Sequence, residues 1–287
     1  MFNRLFLFLA TNLAVLALVS IVMSILGVNP STYTGLLVFA ALFGFGGSLV
    51  SLLMSKWLAK RATGAHVITE PRNETERWLV ATVQRQAQAA GIGMPEVAVY
   101  PGAANAFATG AFRNRALVAV STGLLESMPR AEVRAVLGHE IGHVANGDMV
   151  TMTLLQGVLN AAVLLLSRVI GVAVDRTVFG TRRGVGLGYV LTRLAMQILL
   201  GILASMVVMA YSRRREYAAD ASSSRYLGSA SDMIAALQRL GGLVPGELPA
   251  SMKAFGINAK PGWAHLFSSH PPMEARIERL RGLSGAY

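Results

Sequence analysis

The chain has 287 residues, of which 53% are hydrophobic and only 14% charged, a balance that excludes an ordinary water-soluble domain and leaves a membrane protein or an unusually apolar core. Its formal charge of +11 does not mark a nucleic-acid binder: the apolar segments leave little room for a basic readout face, and the basic residues flank those segments at Lys56, Lys60 and Arg61 and at Arg213, Arg214 and Arg215. There is no cysteine, so disulfides and thiol catalysis are excluded and any metal must be held by histidine and carboxylate.

Residues 5–28 are almost continuously apolar and long enough to cross about 30 Å of hydrocarbon as a helix. A cleaved signal peptide fits less well, because the run exceeds a usual signal core and no small-x-small cleavage site follows it. Gly35 to Ser55 forms a second span, in which Ala40, Gly44 and Ser48 recur every four residues as a small-residue packing face. Lys56, Trp57, Lys60 and Arg61 then read as an anchor on the cytoplasmic side, and the uncharged link Asn29-Pro30-Ser31-Thr32 as a short outer loop.

The next stretch is soluble in character. Asn73 with Glu76 makes a capping-box pattern ahead of Leu79, Val80, Val83, Ala87 and Ala90, and Gly91 closes that helix. Glu96–Tyr100 and Ala116–Ser121 read as strands joined by a Gly/Ala-rich link that contains Asn105. A helix then opens near Pro129 and carries Val133, Val136, Leu137 and Ile141 at helical spacing.

Segments 149–174 and 188–211 are apolar again, interrupted by Gln156, Asn160 and Arg168 in the first and by Arg193 and Gln197 in the second. Polar groups inside a span usually face a bundle interior, so a transmembrane hairpin is expected, with a buried or shallowly embedded helical pair as the alternative. The loop between them, with Asp175, Arg176, Arg182 and Arg183, would lie outside and runs against the charge trend set by Arg4, the Lys56 cluster and Arg213–Arg215. The expected organisation is therefore two N-terminal transmembrane helices in 1–57, one half of a catalytic domain in 58–148, the hairpin in 149–211 and the other half in 212–287. The fold class is mainly α with a small β-sheet.

His139-Glu140-Ile141-Gly142-His143 is an H-E-x-x-H pattern within the helix that follows Pro129. Residues four apart share a helix face, so both imidazoles can grip one ion, and Glu140 can take a proton from a water that the ion acidifies. A hydrolytic zinc site needs a third protein ligand and an open position. Asp148 is near in sequence, but it follows Asn146-Gly147 and can equally cap the next helix. Glu216 is the better candidate, with Asp220 one turn on to accept the second N–H of a ligand histidine; the bland reading is an ion-paired helix surface. If His143 and Glu216 share an ion, the two ends of 149–211 must meet, which an antiparallel hairpin delivers.

Asn105 lies where a peptide could add as an extra strand, or it is a turn residue. His270 and Arg276 are candidates for stabilising an oxyanion, or a turn histidine and a helix-surface arginine. The charged residues Arg130, Glu132 and Arg134 put the motif outside the bilayer, against an intramembrane protease. A zinc-stabilised, non-proteolytic scaffold or chaperone would normally close its metal with four protein ligands, and only three convincing ones are found.

The H-E-x-x-H with Gly147-Asp148, Glu216-x-x-x-Asp220, Asn105-Ala106-Phe107-Ala108-Thr109-Gly110, and Ser269-His270-Pro271-Pro272 with Arg276 together resemble the HtpX family of bacterial membrane proteases, over essentially the whole chain. That family is related to the CAAX prenyl proteases, which would need a larger chamber than four spans build. The resemblance implies a four-helix transmembrane part with a zincin-like cytoplasmic metalloprotease domain, in the inner membrane, cleaving misfolded membrane proteins. It implies one zinc ion per chain on His139, His143 and Glu216, with Glu140 as general base. Asp220 would lie behind the ligands, His270 and Arg276 in the C-terminal motif, and Asn105 on the substrate edge. The partners expected are unfolded or membrane-protein substrates and the lipid bilayer, with no nucleic acid; the sequence does not give the oligomeric state.

Overall fold

The computed structural model describes residues 19–25, 27, 29, 32–181, 184–242 and 268–283. Most of the expected first span, with Arg4, Pro30, Ser31, Arg182 and Arg183, lies outside the described residues. Helices run in the order α1 (19–25), α2 (Tyr33–Thr63), α3 (Glu74–Ala90), α4 (Thr122–Ser127), α5 (Arg130–Asn146), α6 (Asp148–Thr177), α7 (Leu187–Leu227), α8 (Ser231–Gly242) and α9 (Met273–Leu283). The strands are β1 (His66–Val67), β2 (Glu96–Tyr100), β3 (Ala106–Thr109) and β4 (Leu117–Ser121). The chain divides into two compact units, Met1–Ser51 with Met152–Val208, and Leu52–Thr151 with Met209–Tyr287.

The described residues of the first unit are mostly helical, and their exterior is apolar. Among the described residues three helices, Thr34–Thr63, Asp148–Thr177 and Leu187–Leu227, are long and apolar enough to cross a membrane. Leu49, Val158, Val169, Leu194, Ile198 and Leu203 all point outward, the reverse of a helix solvated by water. Small residues bring the helices together: a Cβ on Gly44 would lie 2.7 Å from the Ala161 nitrogen and 2.8 Å from the Gly157 carbonyl oxygen. The buried Asp175 carboxylate accepts from Gly186 N at 2.8 Å, Tyr189 N at 3.0 Å and Thr181 Oγ1 at 3.1 Å, so it caps the start of α7.

The second unit is built on a four-stranded mixed sheet in the order β1-β2-β4-β3. β2 and β4 are parallel, and β3 pairs antiparallel with β4 from Ala106↔Val120 to Thr109↔Leu117, so β3 is an edge. Its alanine-rich sequence carries little β preference and reads as a link; pairing with β4 makes it a strand. One sheet face, with Val97, Ala106, Ala108, Val118 and Val120, joins the core that also holds Leu79, Val83, Val136, Leu137, Ile141, Met233 and Leu237. The other face buries Ala98, Tyr100, Phe107, Leu117 and Ala119 with Ala59 of α2.

Local signals fix the helices. The Asn73 side chain accepts from Glu76 N at 2.8 Å while the Glu76 carboxylate accepts from Arg72 N at 2.7 Å, and Gly91 ends α3 at φ 65°. Lys56 donates to Glu96 Oε1 at 2.6 Å and to the Arg115 carbonyl at 2.9 Å, with Lys60 at 3.2 Å from Glu96 Oε2. Two cations of the expected interfacial anchor therefore also tie α2 to the sheet.

Candidate metal centre

Helix α5 lies at the middle of the second unit, with every residue from Ala135 to Val144 buried. It ends at Gly147, which takes the left-handed conformation at φ 70° and donates back to the last turn. Two glycines let α7 approach it: a Cβ on Gly142 would be 3.0 Å from Ser222 Cβ and 3.2 Å from Ala219 Cα, and one on Gly138 would be 2.9 Å from Ser223 Oγ. Ser223 Oγ then donates to the Ala135 carbonyl at 2.7 Å. This close packing sets Glu216 opposite the H-E-x-x-H face. Gly142→Val is expected to push the helices apart and abolish metal retention with little loss of helix content, measured by metal analysis beside circular dichroism.

His139, His143 and Glu216 each offer one ligand atom, all within 4.8 Å of one another. His143 Nε2 is 3.1 Å from His139 Nε2 and 3.2 Å from Glu216 Oε1, and His139 Nε2 is 3.5 Å from Glu216 Oε2. The far side of each ring meets a carboxylate: His139 Nδ1 lies 2.8 Å from Asp220 Oδ1, and His143 Nδ1 lies 2.6 Å from Asp148 Oδ2. Those contacts hold the proton on Nδ1 and leave a lone pair on each Nε2. Two lone pairs and a carboxylate oxygen converging this closely repel one another unless a cation sits among them. The donor set fits a divalent ion bound by imidazole and carboxylate, with a position left over.

The electrostatics agree. Burial opposes charge on His139, but hydrogen bonds with Asp220 and Glu216 outweigh it and raise its pKa. Burial opposes charge on His143 too, and Glu216 and Asp148 together push it up to about 10. The cluster thus favours positive charge at its centre. The Glu140 pKa is raised, chiefly by burial and against the charges of His139 and His143, as suits a carboxylate that must both take and return a proton.

A ring of further groups holds the cluster. Arg276, fully buried on α9, grips Asp220 in a two-pronged contact, Nε to Oδ2 at 2.8 Å and Nη2 to Oδ1 at 2.6 Å. Its Nη1 lies 3.5 Å from Glu216 Oε2. His270 Nδ1 sits 2.7 Å from the same Glu216 oxygen, and His270 Nε2 is buried with no hydrogen-bond partner among the described residues. A small apolar cleft lined by Thr109, Phe112, Val144, Met149 and Val150 opens beside His143.

Residues 73–284 match peptidase family M48. The chain belongs to peptidase family M48. It is 61% identical to the Protease HtpX of Xanthomonas axonopodis pv. citri, over 100% of this chain and 99% of that one. It is 60% identical to the Protease HtpX of Stenotrophomonas maltophilia, over 98% of each. This M48 peptidase is therefore a metalloprotease of the HtpX group. Its fold is similar to the crystal structure of S. mikatae Ste24p, with a TM-score of 0.66 at 20% identity, covering 98% of this chain and 64% of that one. The likeness to Ste24p concerns fold alone, and the chain spans under two thirds of that protein's length.

In this M48 peptidase the structure brings His139, Glu140, His143, Glu216, Asp220, His270 and Arg276 into one buried group. Asn105 lies just before edge strand β3, its N–H donating to Ser121 Oγ at 2.8 Å. Asp148, weighed as a ligand or a cap, opens α6 and meets the Nδ1 side of His143, away from the point of convergence. Arg215 Nη1 donates to the Asp148 carbonyl at 2.6 Å. Sequence spacing assigns neither residue an orienting role beyond the five-residue step from His143 to Asp148. Asp148→Asn is expected to weaken metal affinity about 10- to 100-fold, measured by competition with a chromogenic chelator.

Proposed function

We propose that this chain is a zinc endopeptidase of the bacterial inner membrane that cleaves misfolded or damaged membrane proteins at the cytoplasmic face. The observation that carries the reading is the convergence of His139 Nε2, His143 Nε2 and Glu216, with Glu140 on the same helix, in a chain whose other unit exposes apolar helices. The two spans of 1–57 and the hairpin of 149–211 would cross the bilayer, and 58–148 with 212–287 would form the catalytic domain. The flanking cations Lys56, Lys60 and Arg213–Arg215 support a cytoplasmic site.

His139, His143 and Glu216 would hold the ion. Zinc suits an imidazole–carboxylate set, and when bound supplies the Lewis acidity that acidifies a water and polarises a carbonyl. Glu140 takes the proton of the attacking water and returns it to the leaving amine. Asp220 and Asp148 hold the two imidazoles in the tautomer that presents Nε2. Of the two residues expected at the oxyanion, Arg276 is committed to Asp220, and its part is to fix Asp220 and the Glu216 side chain. His270 would donate to the developing oxyanion from Nε2, its Nδ1 facing Glu216 Oε2 at 2.7 Å. The free edge of β3, beginning at Asn105, would take an extended substrate by strand addition.

The test is cleavage by the full chain in proteoliposomes, with zinc restored after chelation. A destabilised membrane-protein substrate with a cytoplasmic loop should be cut faster than its folded parent. Equal rates would contradict the quality-control role, and undiminished cleavage in chelator would contradict the metal's role.

A further inference from the structure

Among the described residues of the second unit, the exposed large apolar side chains are not scattered. Leu53, Met54, Trp57 and Leu58 lie on the last turns of α2. The others are Met94 in the turn between α3 and β2, Phe112 in the link from β3 to β4, and Val150 in the first turn of α6. Short contacts join these places into one edge. Lys56 of α2 donates to the Arg115 carbonyl at 2.9 Å, and Gly93 N donates to Asn114 Oδ1 at 2.9 Å. Phe112, Met149 and Val150 line one cleft. The remaining described surface of the unit exposes no large apolar side chain.

The residues on α2 and α6 belong to helices apolar enough to cross a membrane. Met94 and Phe112 do not. Each sits in a short connection, where contact with water would favour a polar residue, yet Met94 is 43% and Phe112 61% exposed. The edge is also cationic. Exposed Arg113 and Arg115 follow Phe112 in a fixed turn, Arg115 N donating to the Phe112 carbonyl at 2.9 Å. Arg61 is exposed on α2, and Glu96 is held between Lys56 and Lys60. Apolar tips beside cations suit an anionic leaflet, which takes apolar groups at its acyl boundary and cations at its phosphates. The ends of two membrane-crossing helices on the same edge bring such a leaflet alongside it.

We propose that the connections 91–95 and 110–116 dip into the interfacial layer of an anionic leaflet, with Phe112 and Met94 entering the acyl boundary and Arg113 and Arg115 meeting headgroup phosphates. The cleft beside His143, which Phe112 helps to line, then opens at the membrane surface. This placement needs no hydrolysis and stands or falls apart from the peptidase reading.

The chain has no cysteine, so a single introduced cysteine takes a single label. Phe112→Cys, Met94→Cys and Glu126→Cys would each carry an environment-sensitive fluorophore. Glu126 is exposed on α4, past the end of β4 that lies away from Glu96. The zinc-loaded full chain is reconstituted in vesicles of phosphatidylcholine with about one-third phosphatidylglycerol. The labels at 112 and 94 should be quenched about two-fold or more by nitroxide lipid and shielded from aqueous iodide, and the label at 126 should show the reverse. Lipid quenching at 112 should fall in pure phosphatidylcholine, and also when Arg113→Gln and Arg115→Gln are added. Labels at 112 and 94 as open to iodide as the one at 126 would overturn the proposal. Equal lipid quenching in neutral and anionic vesicles would overturn the anionic-leaflet assignment. Shielding that appears only when unfolded casein is added would make the edge a protein-docking surface and overturn it too.

Discussion

Replacing Glu140 by Gln is expected to leave the metal bound and to lower peptide hydrolysis by about 10²- to 10⁴-fold, the usual range for a lost general base. The separation of the two effects follows from the geometry. Glu140 is not among the three convergent ligands, and its nearly isosteric amide keeps the helix and its packing. Metal stoichiometry equal to wild type with cleavage lost is the expected pair of readings. An active variant would remove Glu140 from the chemistry, and a metal-free variant would make it a ligand.

The second large effect concerns the buried arginine. Arg276→Ala removes the guanidinium that grips Asp220 through two hydrogen bonds and approaches Glu216. Breaking one side of a buried ion pair costs about 3–5 kcal/mol, because the remaining charge stays desolvated. Asp220 would also be freed from its fixed position behind His139, weakening metal affinity by about 10- to 100-fold. The expected outcome is a clear fall in Tm in the chelated protein and a further gap once zinc is added back to both. Arg276→Lys should recover only part of it, since lysine keeps the charge and lacks the planar fork. Unchanged stability and metal affinity in Arg276→Ala would show the contact to be dispensable.

Much of the site was legible because the chemistry is carried by patterns at helical spacing. H-E-x-x-H and Glu216-x-x-x-Asp220 each place two groups on one helix face, and the structure brings the two helices together through Gly138 and Gly142. The capping box at Asn73 and the glycine stops at Gly91 and Gly147 were equally readable, because each is a local backbone demand. Beyond the shared ion, pairing between distant elements is not carried by sequence spacing. β3 is four residues of Ala-Phe-Ala-Thr and becomes a strand only through β4. Arg276 reads as an oxyanion candidate or a surface residue of a short helix until Asp220, 56 residues away, claims its guanidinium. Asp148 reads as a ligand candidate or a cap until the turn at Gly147 folds it back onto His143. Lys56 and Lys60 read as interfacial charges, and Glu96 shows that they also have a partner in the sheet.

The most direct test of the central claim is metal analysis of the purified, detergent-solubilised full chain, as wild type and as Glu216→Ala, with casein cleavage followed on the same samples. One zinc per wild-type chain, lost together with proteolysis in Glu216→Ala, is the result that three convergent ligands predict. Full zinc occupancy and cleavage in Glu216→Ala would contradict the account, because the metal would then be held and used elsewhere than at His139, His143 and Glu216.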